Sequence, residues 1–460
     1  MISNSNVYIF ALQSDYLCSM KQKDEITSKV LGNLKFESLN AIQNAMISND
    51  LKSNNIVLLA PTGSGKTVAF LLPLLHHINP KSIGVQALIL VPSRELALQI
   101  EQVFRTMGSG FKVNCCYGGH LMKTERNNFS EPPVVLIGTP GRVAAHLRRG
   151  SFDPETVHLL VLDEFDKSLD LGFSDDMSYI IGQLPKIKRR ILTSATPAVE
   201  IPAFSGVTNP VTLNFLSEVE DSPKIVYKAV RAKDTDKLEI LIRLVCFLGN
   251  EPTLVFCNHR EAVDRISELL KKDGVVHDIF HGGLEQDERE RALLKFRNGS
   301  YQILVTTDLA SRGLDIPEIK NIVHYQGANS EEVFIHRNGR TARMKNEGTS
   351  WLVLAEKDAV PEFLPVYPEF VNLPEQVRLP ELPPWTTLYL GAGKKDKISK
   401  TDVVGFLIQK GNLQKEDVGL ITVLDESSFV AINRQKIRRV INLIKDEKIK
   451  NKKIRIAISE

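Results

Sequence analysis

The sequence predicts an α/β protein: two tandem doubly wound parallel-sheet domains followed by a small C-terminal domain of βαββαβ order. Three observations predict it. Short apolar runs without polar alternation recur between helix-like stretches, as strands covered on both faces require. Residues with chemical character collect just after those runs, where doubly wound sheets bind ligands. A proline-rich stretch, "PEFLPVYPEFVNLPEQVRLPELPP" at 361–384, then interrupts the pattern, because proline resists helix interiors and central strands.

The first series of strands reads "NIVLLA", "QALILV", "VVLIG", "LLVLD" and "RRILTS". After a less regular stretch near 204–224 the second reads "TLVFC", "HDIFH", "YQILVTT", "NIVHY" and "SWLVLA". Beyond the prolines come strand "TTLYLGA", helix "KTDVVGFLIQKG", strands "VGLITVL" and "SSFVAI", helix "NRQKIRRVINLIKDE" and strand "KIRIAIS". The expected boundaries are an N-terminal extension at 1–19, a first α/β domain at 20–214 and a connection at 215–224. A second α/β domain follows at 225–368, then a proline-rich linker at 369–384 and the C-terminal domain at 385–460. The βαββαβ order is that of RNA-recognition folds and of ferredoxin-like domains, so order alone does not fix a function.

Composition narrows the field. At roughly 150 residues per domain, 460 residues suit about three domains. A hydrophobic share of 43% and a charged share of 25% are ordinary for a globular chain. No run approaches the roughly 18 apolar residues of a membrane span; "VAFLLPLL" is short and carries Pro73. The N-terminal "MISNSNVYIFALQ" lacks the basic region of a secretory signal, and Met20 is an alternative start. Cys18, Cys115, Cys116, Cys246 and Cys257 form no CxxC, which points to free thiols in a reducing cytoplasm. The net charge of +3 hides an asymmetry: residues 385–460 carry 16 Lys+Arg against 9 Asp+Glu, leaving the body slightly acidic. A basic terminal module suggests a polyanionic partner; the bland alternative is a solubilising surface.

Directly after "NIVLLA" comes "PTGSGKT". Glycines there let backbone N–H groups close around phosphates at a helix N-terminus. Lys66 is expected to reach the β- and γ-phosphates and Thr67 to ligate Mg2+. Ala60 stands where the generic pattern has its first glycine. A magnesium–triphosphate site needs a second carboxylate at a neighbouring strand end and a water-orienting group beside it. The run "LLVLDEFD" supplies both: Asp163 for the metal, Glu164 for the water and Asp166 for a link to neighbouring elements, with Phe165 left for packing. A solvated turn is the competing explanation, and the strand–GKT–helix context disfavours it.

Together these stretches resemble a DEAD-box RNA helicase of the DbpA type, in order over nearly the whole chain. The carrying motifs are "APTGSGKT", "PSRELA", "GG" at 118–119, "TPGR", "DEFD", "SAT", "VFCN", "HGGLEQDER", "TTDLASRGLDIP" and "HRNGRTAR". The resemblance implies two RecA-like lobes, ATP with Mg2+ between them and RNA across both. It implies adenine recognition by Phe36 and Gln43, although "ESLNAI" lacks the usual prolines. A phosphate loop of Ala60, Pro61, Thr62, Gly63, Ser64, Gly65, Lys66 and Thr67 follows, with a ribose contact at Asp315. Arg340 and Arg343 are implied to stabilise the transition state, and Ser194 and Thr196 to couple hydrolysis to RNA, with Asp166. Ala342 replaces the usual glycine before Arg343. Arg94, Gly119, Thr139, Arg142, Arg289 and Thr307 are implied to hold the RNA backbone.

The tail resembles the RNA-binding domain of DbpA-type helicases, which implies 23S ribosomal RNA and pre-50S particles as partners. Tyr389 and Phe429 fit aromatic positions of its sheet, whereas Ser427 occupies a third. Reduced stacking shifts the expected affinity to Lys394, Lys395, Lys397, Arg438 and Arg439. Competing functions are an ATP-gated RNA clamp that unwinds little, a general RNA helicase without ribosomal preference, and a DNA-directed or non-nucleic-acid P-loop ATPase.

Overall fold

The computed structural model describes residues 24–50, 52–61, 63–118, 129–196, 200–216, 225–233, 235–311, 319–341 and 347–459. The N-terminal extension at 1–19, Thr62, Gly119, Asp315 and Arg343 lie outside them. Contacts divide the chain into two compact units, the first ending at Glu220.

In the first unit, β1 (Asn55–Leu59), β2 (Ala87–Leu90), β3 (Val113–Cys116), β4 (Val135–Gly138), β5 (Leu159–Leu162), β6 (Arg189–Ser194) and β7 (Val211–Asn214) form one sheet. Their order is β3-β4-β2-β5-β6-β1-β7, and every pairing is parallel. β1, β2, β4 and β5 are almost wholly buried, which is why they read as unbroken apolar runs. Two of the seven strands escaped the sequence reading. β3 carries Asn114 and two cysteines, and β7 is an edge strand with alternating exposure, so neither shows a continuous apolar run.

Apolar side chains from both sheet faces join separate cores. The helix Lys66–His77 plugs into the first of them, with Val68 to Leu75 buried throughout. It continues through Pro73. Proline inside a helix costs about 3 kcal/mol, but a fully buried Val, Leu or Phe contributes roughly 1.5–3 kcal/mol, so the packed helix survives.

The second unit repeats the plan. β8 (Ile225–Arg231), β9 (Thr253–Phe256), β10 (Asp278–Phe280), β11 (Ile303–Thr306), β12 (Asn321–His324), β13 (Gly348–Leu354) and β14 (Glu369–Phe370) pair in parallel in the order β10-β11-β9-β12-β13-β8-β14. β14 lies inside the proline-rich stretch and sits at the sheet edge, where proline neighbours are tolerated.

The C-terminal sheet is antiparallel. β15 (Trp385–Leu390), β16 (Val418–Val423), β17 (Ser428–Asn433) and β20 (Ile456–Ile458) run in the order β16-β17-β15-β20, with a small hairpin of β18 (Lys448–Ile449) and β19 (Lys452–Lys453) beside them. Leu388, Leu390, Val430 and Ile432 share a core with Val403, Phe406 and Val440 of the helices Lys400–Gln409 and Ile437–Ile444.

The linker does not hold this module apart, as the proline content suggests. Arg243 donates to the carbonyls of Leu373 and Pro374, the Val371 N–H pairs with Ala229 O, and Leu373 enters the core of the second sheet. The module itself is fastened to the turn after helix Gln286–Arg297. Asn298 Nδ2 donates to Thr387 Oγ1 at 2.8 Å, and Thr387 Oγ1 donates to Ser300 Oγ at 2.8 Å, all buried. Arg434 ties the linker end to the module, since its Nε donates to Pro383 O while its guanidinium also donates to Trp385 O at 2.8 Å.

Candidate nucleotide and RNA site

The loop between β1 and helix Lys66–His77 turns on Gly63 and Gly65, at φ 82° and 89°. A side chain at Gly65 would also strike Gln43 Nε2, 2.9 Å from the position of its Cβ. Gln43 thus lies against the loop. A reciprocal capping box holds it there: Gln43 Oε1 accepts from Asn40 N at 3.0 Å, and Asn40 Oδ1 from Gln43 N at 2.9 Å. Asn40 Nδ2 further donates to Ser64 O at 2.9 Å. Phe36, by contrast, is 41% exposed. The Lys66 ammonium lies over the loop, 2.6 Å from Ala60 O and 2.9 Å from Pro61 O. Thr67 follows it in the helix's first turn.

The three acids of "DEFD" sit where β5 ends. Asp163, Glu164 and Asp166 are 3%, 8% and 4% exposed, so they are not a solvated turn. Burial, reinforced by the neighbouring Glu164, pushes the Asp163 carboxyl up to about 7. Glu164 adopts left-handed backbone at φ 47°, a conformation that strains a residue with a side chain. Its Oε2 and Asp166 Oδ1 are buried without a hydrogen-bond partner. Buried carboxylate oxygens without a hydrogen-bond partner are hard donors of the kind that hold a divalent cation such as Mg2+.

"SAT" lies alongside, because β6 pairs with both β5 and β1. Thr196 Oγ1 donates to Asp166 Oδ2 at 3.1 Å, the Thr196 N–H donates to Ser194 Oγ at 2.9 Å, and the Ala60 N–H donates to Ser194 O at 3.1 Å. One network therefore joins the phosphate loop, the acids and the "SAT" turn.

The expected RNA-backbone residues of the first unit fall at helix starts. Arg94, 8% exposed, stacks 4.4 Å above the Tyr117 ring, at the start of a helix capped by Ser93. Thr139 precedes helix Pro140–Arg148, which carries Arg142. In the second unit Arg289 lies in helix Gln286–Arg297, Thr307 follows β11, and Arg340 is 3% exposed after helix Glu331–Asn338.

Sequence reasoning passed over Arg337, the largest wholly buried side chain. Its guanidinium grips Asp308 at 2.5 and 3.1 Å, Gln326 O at 2.8 Å and Asn258 Oδ1 at 2.8 Å, over the Phe256 ring. It pins together "VFCN", "TTDLASRG" and "HRNGRTAR". The available signal was an arginine and an aspartate in adjacent motifs, with no other partner assigned. His324 beside it is pushed down to about 3 by burial and by the Arg337 charge.

In the C-terminal module, Tyr389 and Phe429 face each other across β15 and β17, with ring centroids 5.5 Å apart. Phe429 is only 4% exposed, which corrects its expected role as an open stacking platform. On the same face, two residues before Tyr389, Thr387 is bound to Asn298 and Ser300. Lys394, Lys395, Lys397, Arg438 and Arg439 are all exposed.

Two parallel sheets, a glycine-turned phosphate loop and a buried acid cluster tied to "SAT" define a nucleotide-hydrolysing motor core. The chain belongs to the DEAD/DEAH box helicase family, whose profile matches residues 40–203, with the helicase conserved C-terminal domain at 236–345. The DbpA RNA binding domain matches 387–458. The chain is 31% identical to the ATP-dependent RNA helicase DbpA of Escherichia coli, over 93% of this chain and 96% of that one. It is 27% identical to DbpA of Bacillus subtilis over the same shares. Among solved structures, S. cerevisiae Dbp5 bound to RNA and ADP BeF3 matches at a TM-score of 0.64 and 29% identity, covering 73% of this chain and 89% of that chain. The present chain is therefore an ATP-dependent RNA helicase with a DbpA-type RNA-binding domain. Among the described residues no helix is long and apolar enough to cross a membrane.

Proposed function

We propose that this helicase acts on 23S ribosomal RNA in pre-50S particles in the cytoplasm, locally separating short duplexes while it hydrolyses Mg2+-bound ATP. The observation that carries the ribosomal reading is the DbpA RNA binding domain at 387–458, on the most basic part of the chain. Thr67 and Asp163 would hold Mg2+, which supplies positive charge to the phosphates. Lys66 binds the phosphates, and Gln43 orients the adenine from its place against the loop. Glu164 orients the attacking water and takes its proton, while Thr196 carries the position of Asp166 to the "SAT" turn. Lys394, Lys395, Lys397, Arg438 and Arg439 offer exposed cations to RNA phosphates, and backbone contacts of this kind position without reading sequence.

The test is ATPase stimulation by 23S ribosomal RNA and by an unrelated RNA of equal length, with and without residues 385–460. The intact chain is expected to respond to ribosomal RNA at concentrations about tenfold lower, a difference of about 1.4 kcal/mol. The shortened chain is expected to respond equally to both. Equal activation of the intact chain would remove the ribosomal reading and leave a general RNA helicase.

A further inference from the structure

Thr193 precedes the "SAT" motif, and neither the phosphate loop nor the acid cluster accounts for it. It is the last residue but one of β6, directly before Ser194, and wholly buried. Because β5 and β6 run in parallel with Leu162 opposite Leu192, residue 193 comes level with residue 163. Its hydroxyl donates to Asp163 Oδ1 at 2.5 Å. The same hydroxyl accepts the Glu164 N–H at 3.1 Å. One oxygen thus serves both acids, giving its proton to one and receiving the backbone of the other.

We infer that Thr193 is a positioning residue for the metal and water sites, a role that rests on the reading of Asp163 as the metal carboxylate and Glu164 as the water-orienting group. Two consequences follow from the geometry. Occupying Oδ1 fixes the Asp163 rotamer and leaves Oδ2 for a cation or its water. Accepting the Glu164 N–H holds the strained left-handed turn that this residue adopts. Each bond polarises the other, since a hydroxyl that accepts from an N–H donates more strongly. Neither effect needs Thr193 to touch nucleotide. A methyl group of equal size in place of the hydroxyl abolishes both bonds at once, whereas serine keeps both.

The experiment is a Mg2+ titration of fluorescent ATP-analogue binding by the full chain, without turnover, for wild type, Thr193→Val, Thr193→Ala and Thr193→Ser. Thr193→Val and Thr193→Ala are expected to raise the Mg2+ needed for half-maximal binding about tenfold. Binding in EDTA is expected to stay unchanged, and Thr193→Ser to restore wild-type behaviour within about twofold. Thr193→Ala covers the case in which valine does not pack. Wild-type Mg2+ dependence in both hydroxyl-free variants, or equal losses with and without Mg2+, would overturn the inference. So would a serine variant as weak as valine. Wild-type binding that ignores Mg2+ would instead count against the metal reading on which the inference stands.

Discussion

The acid cluster of the first unit and the basic surface of the C-terminal module hold charge in opposite ways. Asp163, Glu164 and Asp166 are buried, and two of their oxygens have no hydrogen-bond partner. Burying a charge without a partner is costly, so such a cluster persists where a ligand or a reaction uses it. The cations of the module stand in water beside acids of their own: Lys395 with Glu426 at 2.6 Å and Lys450 with Asp402 at 2.7 Å. Exposed pairs contribute little to stability and exchange partners readily. Chemistry is thus built from strained, dry charge and RNA attraction from wet, replaceable charge. The two regions should respond very differently to single substitutions.

Glu164→Gln should show the largest effect. Removing a general base typically costs about 10²–10⁴ in rate, so RNA-stimulated turnover should collapse by that order while nucleotide and RNA binding persist. Lys66→Ala should instead weaken nucleotide binding itself. Steady-state ATPase and equilibrium binding separate the two, and turnover near wild type in Glu164→Gln would remove that carboxylate from the chemistry.

Arg337→Met comes next and carries the comparison to the second unit. Breaking a buried ion pair by removing one partner costs about 3–5 kcal/mol, because the other charge is left stranded. Asp308, held at 2.5 Å, keeps 29% of its side chain exposed to water, so the loss falls toward the low end of that range. The unfolding transition of the second unit in urea should move down accordingly, whereas Asn258→Ala, which removes one bond to Arg337 and two exposed bonds to Gly327 O and Asn329 Oδ1, should cost less, about 1–2 kcal/mol. Equal shifts for the two would mean that Arg337 is not the hub of these motifs.

A smaller effect is expected from pH. The His324 ring sits at about 3 in the fold, below its ordinary 6.5, through burial and then the Arg337 charge. The unfolded chain therefore binds this proton more tightly. Stability contributed by the neutral ring is intact above about 6.5 and is lost as pH falls from there toward 3, by up to about 1.4 kcal/mol per unit. Urea midpoints of the second unit between pH 7 and pH 5 measure the slope. His324→Asn should flatten it, and an unchanged slope would assign the acid sensitivity to other groups.

The same contrast explains what was legible. Parallel strands buried on both faces wrote themselves as apolar runs, and the phosphate loop and acids stood out because burial and strand ends leave few other uses for them. Edge strands β7 and β14 left no such run. Arg337 was hidden because a buried arginine looks, in sequence, like any surface one. Phe429 matches an aromatic position, but nothing in the sequence shows that its ring lies buried opposite Tyr389. Composition cannot show that Asn298 and Ser300, nearly ninety residues upstream of Thr387, fasten to that face. Proline content suggested a spacer, and only the hydrogen bonds of the Arg243 side chain to linker carbonyls and of the Val371 N–H to Ala229 O reveal a strap laid on the second sheet.

The smallest effect should come from the wet charges. Lys395 is fully exposed and pairs with an equally open Glu426, so Lys395→Ala should leave folding untouched. Its effect belongs to RNA binding. Each phosphate contact releases counterions, so the slope of log affinity against log salt should shrink by about 1 when one contacting lysine is lost. Glu426→Gln offers the converse, since it frees Lys395 from its own acid and should strengthen binding to any RNA at low salt. The shift should be of similar size for ribosomal and unrelated RNA, because a phosphate contact carries no sequence information. Affinities measured across a salt series with both RNAs would decide. A slope unchanged by Lys395→Ala would place the RNA on another face of the module, and a loss confined to ribosomal RNA would make Lys395 a reader of that RNA's shape rather than a replaceable charge.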